Sequence, residues 1–169
     1  MFQFDDVIES LSALEGVSFP SKTDGDHVIF SKGDTKFLLI RPDKRKGDSI
    51  FKTDFSIALA SGYTAIEEDK IPYLKLLEIT NRINFDSSNP CKVSYRKENK
   101  LFAIEISHLL YGEGSSTHDH YFIENKNSYL SMAILGMLVL LLEASEMINQ
   151  EINTYNDGLK EGLKNEKNK

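Results

Sequence analysis

The chain has 169 residues, of which 40% are hydrophobic and 27% charged, a composition that suits an ordinary globular protein and excludes fibrous or disordered classes. A net charge of −6 argues against a nucleic-acid partner, because non-specific binding to phosphate backbones comes from basic surface that releases counterions. The single cysteine, Cys91, rules out an intramolecular disulfide and points to a reducing compartment.

The N-terminal stretch MFQFDDVIES has no basic region and no uninterrupted apolar run, so it does not read as a secretory signal, and the cytoplasm is the expected location. Phe4, Val7, Ile8, Leu11 and Leu14 recur at helical spacing, with Asp5, Asp6 and Glu9 in the early turns, where the positive end of the helix dipole favours acids. Gly16 follows the last apolar residue and can take the left-handed conformation that ends a helix. SFPSKTDGD then reads as loop, punctuated by Pro20 and Gly25.

Two strands, His27 to Ser31 and Thr35 to Ile40, flank Lys32-Gly33-Asp34 and predict a β-hairpin. The basic run RPDKRKG, from Arg41 to Gly47, reads as a surface loop between strands. A third strand is expected over Ser49 to Ala60, where Phe51, Thr53, Phe55, Ile57 and Leu59 share one face and Lys52, Asp54 and Ser56 the other, until Ser61-Gly62 breaks the run. Such alternation means one buried and one wet face, the pattern of an antiparallel sheet.

Pro72 is suited to a first helical turn, and Leu76, Ile79 and Ile83 form a stripe that carries a helix to about Phe85. Asn81 and Asn84 lie three apart in its last turn, where Asn is a poor helix former but a good partner for loose backbone groups. The pair is therefore expected to be structural, satisfying the helix end and the following turn. A second hairpin is predicted from Cys91 to Lys97 and Leu101 to His108, with Phe102, Ile104 and Ile106 on one face.

After a Gly-rich loop, Tyr111 to Thr117, and the sequence HDHYF, the chain reaches its most apolar stretch, Tyr129 to Leu142, fourteen residues without a charge. A membrane span needs about 20 apolar residues, so a core helix is expected, starting at Asn127 or Ser128 and running to Asn156. Leu130, Ile134, Met137, Leu138, Leu141, Ala144, Ile148, Ile152 and Tyr155 form one continuous stripe. A second, of Met132, Leu135, Val139 and Leu142, is confined to the first half. The first half is therefore expected to be covered on two sides. Such a helix is longer than a compact domain of this size, so part of it should meet another subunit. Leu138, Leu141, Leu142, Ile148, Ile152 and Tyr155 are the candidate partner or dimer contacts, around and beyond the change of character at Leu142-Glu143. Residues 157–169 read as a fraying or disordered tail.

Sites of chemistry are sparse. His118 and His120 are two apart, with Asp119 and His108 as possible further ligands, but no dense Cys/His signature supports a metal centre. There is no nucleophile elbow, phosphate loop or dinucleotide fingerprint. Gly112-Glu113-Gly114-Ser115-Ser116 lacks the following Lys and the helix start of a phosphate cradle. Cys91 has no adjacent base to activate it. No metal, cofactor or catalytic residue is assigned, and His108 reads as a partly buried hydrogen-bonding residue.

The order of elements, with Asn81 and Asn84 closing the second helix, Phe102, Ile104 and Ile106 in the last hairpin, and a long apolar helix from Tyr129, resembles the type III secretion chaperone-like fold. More specifically it is similar to the bacterial YbjN-type sensory-transduction regulators, over Tyr73 to Gln150. The resemblance implies a protein, commonly a homodimer, that binds protein partners and turns over no substrate. Taken together, the expectation is an α+β fold: an antiparallel sheet of about five strands with helices on one face and a long C-terminal helix, in a single domain over 1–156. The expected function is a cytoplasmic, non-enzymatic protein-binding module, homodimeric and without nucleic-acid or membrane partners, capturing a partner segment by apolar pockets and β-augmentation. An acidic immunity or antitoxin-like protein is the alternative, and a small-ligand binder a third.

Overall fold

The computed structural model describes residues 4–19, 27–40, 55–64, 71–110 and 126–167. In chain order these form α1 (Phe4–Ser12), β1 (Val17–Ser18), β2 (His27–Lys32), β3 (Thr35–Ile40), β4 (Phe55–Tyr63), α2 (Tyr73–Phe85), β5 (Lys92–Arg96), β6 (Leu101–Leu110) and α3 (Lys126–Lys167). The strands make a six-stranded antiparallel sheet in the order β1-β2-β3-β4-β6-β5. The class is α+β, and in β4 the buried Ile57, Leu59 and Ser61 alternate with the less buried Ala58 and Ala60, the pattern of an antiparallel sheet. The basic run from Arg41 to Gly47, the start of the third predicted strand at Ser49, the loop from Tyr111 to Thr117, and His118 and His120 lie outside the described residues.

The chain groups into two compact units, each built from two stretches. The first comprises Met1–Ser61 and Glu105–Val139; the second comprises Gly62–Ile104 and Leu140–Lys169. β4, β6 and α3 each supply residues to both.

In the first unit α1 ends at Ser12, two residues short of the expected Leu14, and Gly16 takes its left-handed φ of 76° in the turn that follows. The turn then hands the chain to a strand that sequence patterning misses. Val17 and Ser18 pair with Lys32 and Ser31, a bridge too short to carry an alternation signal. Lys32 fixes the junction by donating from Nζ to the Glu15 carbonyl at 2.7 Å. β2 and β3 pair in register from His27↔Ile40 to Lys32↔Thr35, across a turn whose Gly33 has φ 59°, the left-handed geometry that glycine adopts without cost. Inside the unit Val28, Phe30, Phe37 and Leu39 are buried, with the Phe30 and Phe37 rings stacked at 5.4 Å. β4 does not break at Ser61-Gly62. It runs on to Tyr63, and Ser61 is buried on the same side as Ile57 and Leu59.

In the second unit Pro72 precedes the first turn of α2 and accepts hydrogen bonds at its carbonyl from the Lys75 and Leu76 amides. Leu76, Ile79 and Ile83 are buried, the stripe that the 3.6-residue period picks out. Thr80 is buried among them because its Oγ1 donates to the Leu76 carbonyl at 2.9 Å. β5 and β6 contribute Val93, Phe102 and Ile104 to the same interior. A ladder of rings joins them, Tyr73 to Tyr95 at 6.0 Å and Tyr95 to Phe102 at 5.1 Å. Lys97 Nζ lies 5.2 Å from the centre of the Tyr73 ring.

The helix α3 has 42 residues, about 63 Å at 1.5 Å per residue. It does not stop at Asn156. Gly158 lowers helix propensity by about 1 kcal/mol relative to Ala, but the flanking Lys, Glu and Leu residues are good helix formers, and Lys160 pairs with Asp157 at 3.0 Å across one turn.

Candidate functional site

Three places in the described chain bear on function: the two faces of α3, the turn after α2, and the surroundings of Cys91. On α3, Leu130, Ile134, Met137, Leu138, Leu141, Ala144, Ile148 and Ile152 are all buried. Four of the six residues expected to meet a partner, Leu138, Leu141, Ile148 and Ile152, therefore belong to the chain's own interior and are not available to one. Ala144, Ile148 and Ile152 are buried beyond Glu143, within the second unit, so the change at Leu142-Glu143 does not mark where the buried face of the helix ends. Tyr155 is half-buried, with Lys75 Nζ 5.6 Å from its ring centre. Leu142 alone of the six is exposed.

The second apolar stripe is where structure and expectation part. Met132 is 70% exposed, Leu135 42%, Val139 47% and Leu142 45%, so among the described residues the first half of the helix is covered on one side only. These four residues follow 3-4-3 spacing and lie on one line of a single uninterrupted helix, between the residues that face the core. Gly136 sits beside them, exposed and with no atom within 4 Å of where a Cβ would stand. A sequence signal for this exposure exists: prolonged at the same spacing, the line continues as Glu146, Asn149 and Asn153, residues that a doubly covered helix would not place there. A stretch of α3 is also long and apolar enough, by length and composition alone, to cross a membrane. The buried residues on its other face show how much of that apolar character serves the chain's own core.

The turn after α2 is held by asparagine amides. Asn84 Nδ2 donates to the Val93 carbonyl and the Val93 amide donates to Asn84 Oδ1, both at 2.8 Å. One side chain thus behaves as a strand residue would, exchanging two bonds with β5. Since β5 ends the sheet, Asn84 occupies the outward-facing backbone groups of Val93 that an added strand would need. The second fastening comes from Asn89, which sequence reasoning overlooked. Its Nδ2 donates to the Ile83 and Cys91 carbonyls at 3.3 and 3.2 Å, and its Oδ1 accepts from the Cys91 amide at 3.0 Å. Asn81 is exposed and makes no side-chain hydrogen bond among the described residues. The opposite sheet edge, β1, is only two residues long. Among the described residues neither edge offers the long, open ladder that β-augmentation uses.

Cys91 is buried, and its Sγ lies 3.4 Å from the Leu140 carbonyl, placed to donate to it. Burial pushes the thiol up to about 11, with a smaller push from the Glu143 carboxylate. Such a group is a packed hydrophobe and a poor nucleophile. His108 is half-buried, with Nε2 3.3 Å from the Tyr129 hydroxyl. Among the described residues no three His, Cys, Asp or Glu side chains are placed to hold a metal ion. Arg82 Nη1 reaches both carboxylate oxygens of Glu151, at 2.8 and 3.2 Å, joining α2 to the second half of α3. Leu74 and Phe85, on the outer side of α2, are 73% and 88% exposed.

No protein-family model matches the sequence, and no curated protein matches it. Among solved structures the chain is similar to an uncharacterized protein from Methanothermobacter thermautotrophicus, at 15% identity and a TM-score of 0.41, over 82% of this chain and 96% of that one.

Proposed function

We propose that this chain is a non-enzymatic protein-binding module of the cytoplasm, chaperone-like or regulatory in character, whose docking surface is the outer face of α3. One observation carries the reading: Met132, Leu135, Val139 and Leu142 form an exposed apolar row on a helix whose other side is filled by the chain's own core. Exposed apolar surface that is aligned, rather than scattered, marks an interaction site. The mode is helix against helix or helix in groove, read as anchors three and four residues apart. β-Augmentation is the less suitable mode, because Asn84 already occupies the edge of β5 at Val93.

The test compares affinity capture from the native cell, followed by mass spectrometry, with tagged wild type and a Met132→Lys/Val139→Lys variant. Both substitutions lie on exposed positions, so the fold should be kept, as circular dichroism will check. Partners retained by wild type and lost by the variant support the reading. An identical retained set from both would falsify it.

A further inference from the structure

We infer that Met132 is an oxidation site, at which a peroxide-class oxidant converts the thioether to a sulfoxide and so releases the protein docked on the outer face of α3. The inference rests on reading the exposed row as a docking surface, and adds the control of that surface. It starts from where the chain keeps its sulfur. Cys91 and Met137 are buried, Met147 is half-buried, and Met132 is the most exposed member of the row; Met1 lies outside the described residues. Cys91, by its chemistry the more reactive sulfur, is withdrawn a second time, because burial pushes its thiol up to about 11 and leaves almost no thiolate at neutral pH. Among the described residues an oxidant therefore meets Met132 first.

The helix leaves that sulfur uncovered. Side chains on a helix lean towards its N-terminus, so the residue four places on is the one that would lie over Met132. That residue is Gly136, exposed and with no side chain within 4 Å of where a Cβ would stand. The reaction needs nothing further from the protein. A lone pair on the thioether sulfur attacks one oxygen of hydrogen peroxide, the O–O bond breaks as the S–O bond forms, and the second oxygen leaves as water once it has taken the proton of the first. Sulfur gives up two electrons and the peroxide gains them. A dithiol reductase reverses the step, its two thiols closing to a disulfide as the oxygen departs as water. The sulfoxide puts a strong hydrogen-bond acceptor in a row whose other members, Leu135, Val139 and Leu142, have no side-chain donor, so an apolar partner that closes over it buries an unpaired oxygen. The core is untouched, since the exposed Met132 side chain is not part of it. Docking is lost and the fold is kept.

Purified full-length chain, treated with hydrogen peroxide and then desalted, tests this, with tandem mass spectrometry assigning each added oxygen. Met132 should be oxidised about ten-fold faster than Met137 and ahead of Met147. The oxidised chain should keep its circular dichroism spectrum and elute earlier from phenyl-agarose. It should also retain fewer of the partners captured from the native cell, and methionine sulfoxide reductase with dithiothreitol should restore them. Met132→Leu has no sulfur at the site, so its elution and its partner set should each be the same before and after peroxide. Oxygen appearing at Met137 or Met147 as fast as at Met132, or an equal loss of partners from peroxide-treated Met132→Leu, would overturn the inference. The Met132→Lys/Val139→Lys capture separates two failures. Partners lost with that variant but kept by oxidised wild type reject the switch and leave the docking surface standing, whereas partners kept by both reject the surface as well.

Discussion

Asn84 and Val93 exchange two hydrogen bonds at 2.8 Å, and truncating Asn84 leaves backbone groups of β5 without their partner. Asn84→Ala should therefore lose about 1–3 kcal/mol in urea unfolding, the range for orphaned polar groups, while Asn81→Ala should change stability by no more than about 0.5 kcal/mol. Equal losses at the two positions would count against the assignment. A converse case is supplied by Ser10 and Ser61, whose buried hydroxyls have no hydrogen-bond partner among the described residues. Ser10→Ala should be neutral or stabilising by about 1 kcal/mol, readable as a raised urea midpoint. Cys91 gives a pH signature. Its thiol is ordinarily lost near 9.0 and is held in the folded chain to about 11, so below pH 9 both states keep the proton and stability is intact. Between 9 and 11 the unfolded state releases its proton first and stability falls. The urea midpoint should drop more steeply across that window in wild type than in Cys91→Ala.

At the level of elements, the faces of α3 should respond very differently to truncation. Ile134→Ala removes a fully buried side chain and should cost about 2–5 kcal/mol, whereas Leu135→Ser, one residue on, should leave the unfolding of the isolated chain nearly unchanged. Periodicity made most of these elements readable. The alternation at Ile57 and Leu59 and the stripe of Leu76, Ile79 and Ile83 each belong to a long enough pattern to show through single residues. β1 was not readable, because two residues joined by pairing to Lys32 and Ser31 hold no period. The helix end was misjudged at Asp157-Gly158 for a different reason: one glycine costs about 1 kcal/mol, which the good helix formers that follow it, Leu159, Lys160 and Glu161, can offset. Gly158→Ala should accordingly slow amide exchange in the residues that follow. The exposed row of α3 was visible as a stripe but assigned to the interior, since apolar residues alone do not say whether a face is covered. The asparagine fastening was half visible, because Asn84 and Asn89 act through backbone atoms brought near only by the fold.

For the molecule as a whole, a net charge of −6 means that two copies repel as they approach. An acidic partner docked by apolar contact on the proposed face of α3 should therefore bind several-fold more tightly as ionic strength rises from low to physiological, because salt screens the repulsion and leaves the contact intact. Sedimentation across a salt series reads this directly, and an association that weakens with salt would point to ion pairs instead of the row.

The division of the chain has a consequence for how it is made. The first unit joins residues 1–61 to residues 105–139, and the second joins 62–104 to 140–169. Translation delivers the chain from its N-terminus at roughly 5–20 residues per second. Neither unit owns all of its segments until α3 has emerged from the ribosome. The buried residues of β2 and β3 therefore wait several seconds in the company of nascent chain and whatever binds it, until α3 supplies the buried residues that each unit still lacks.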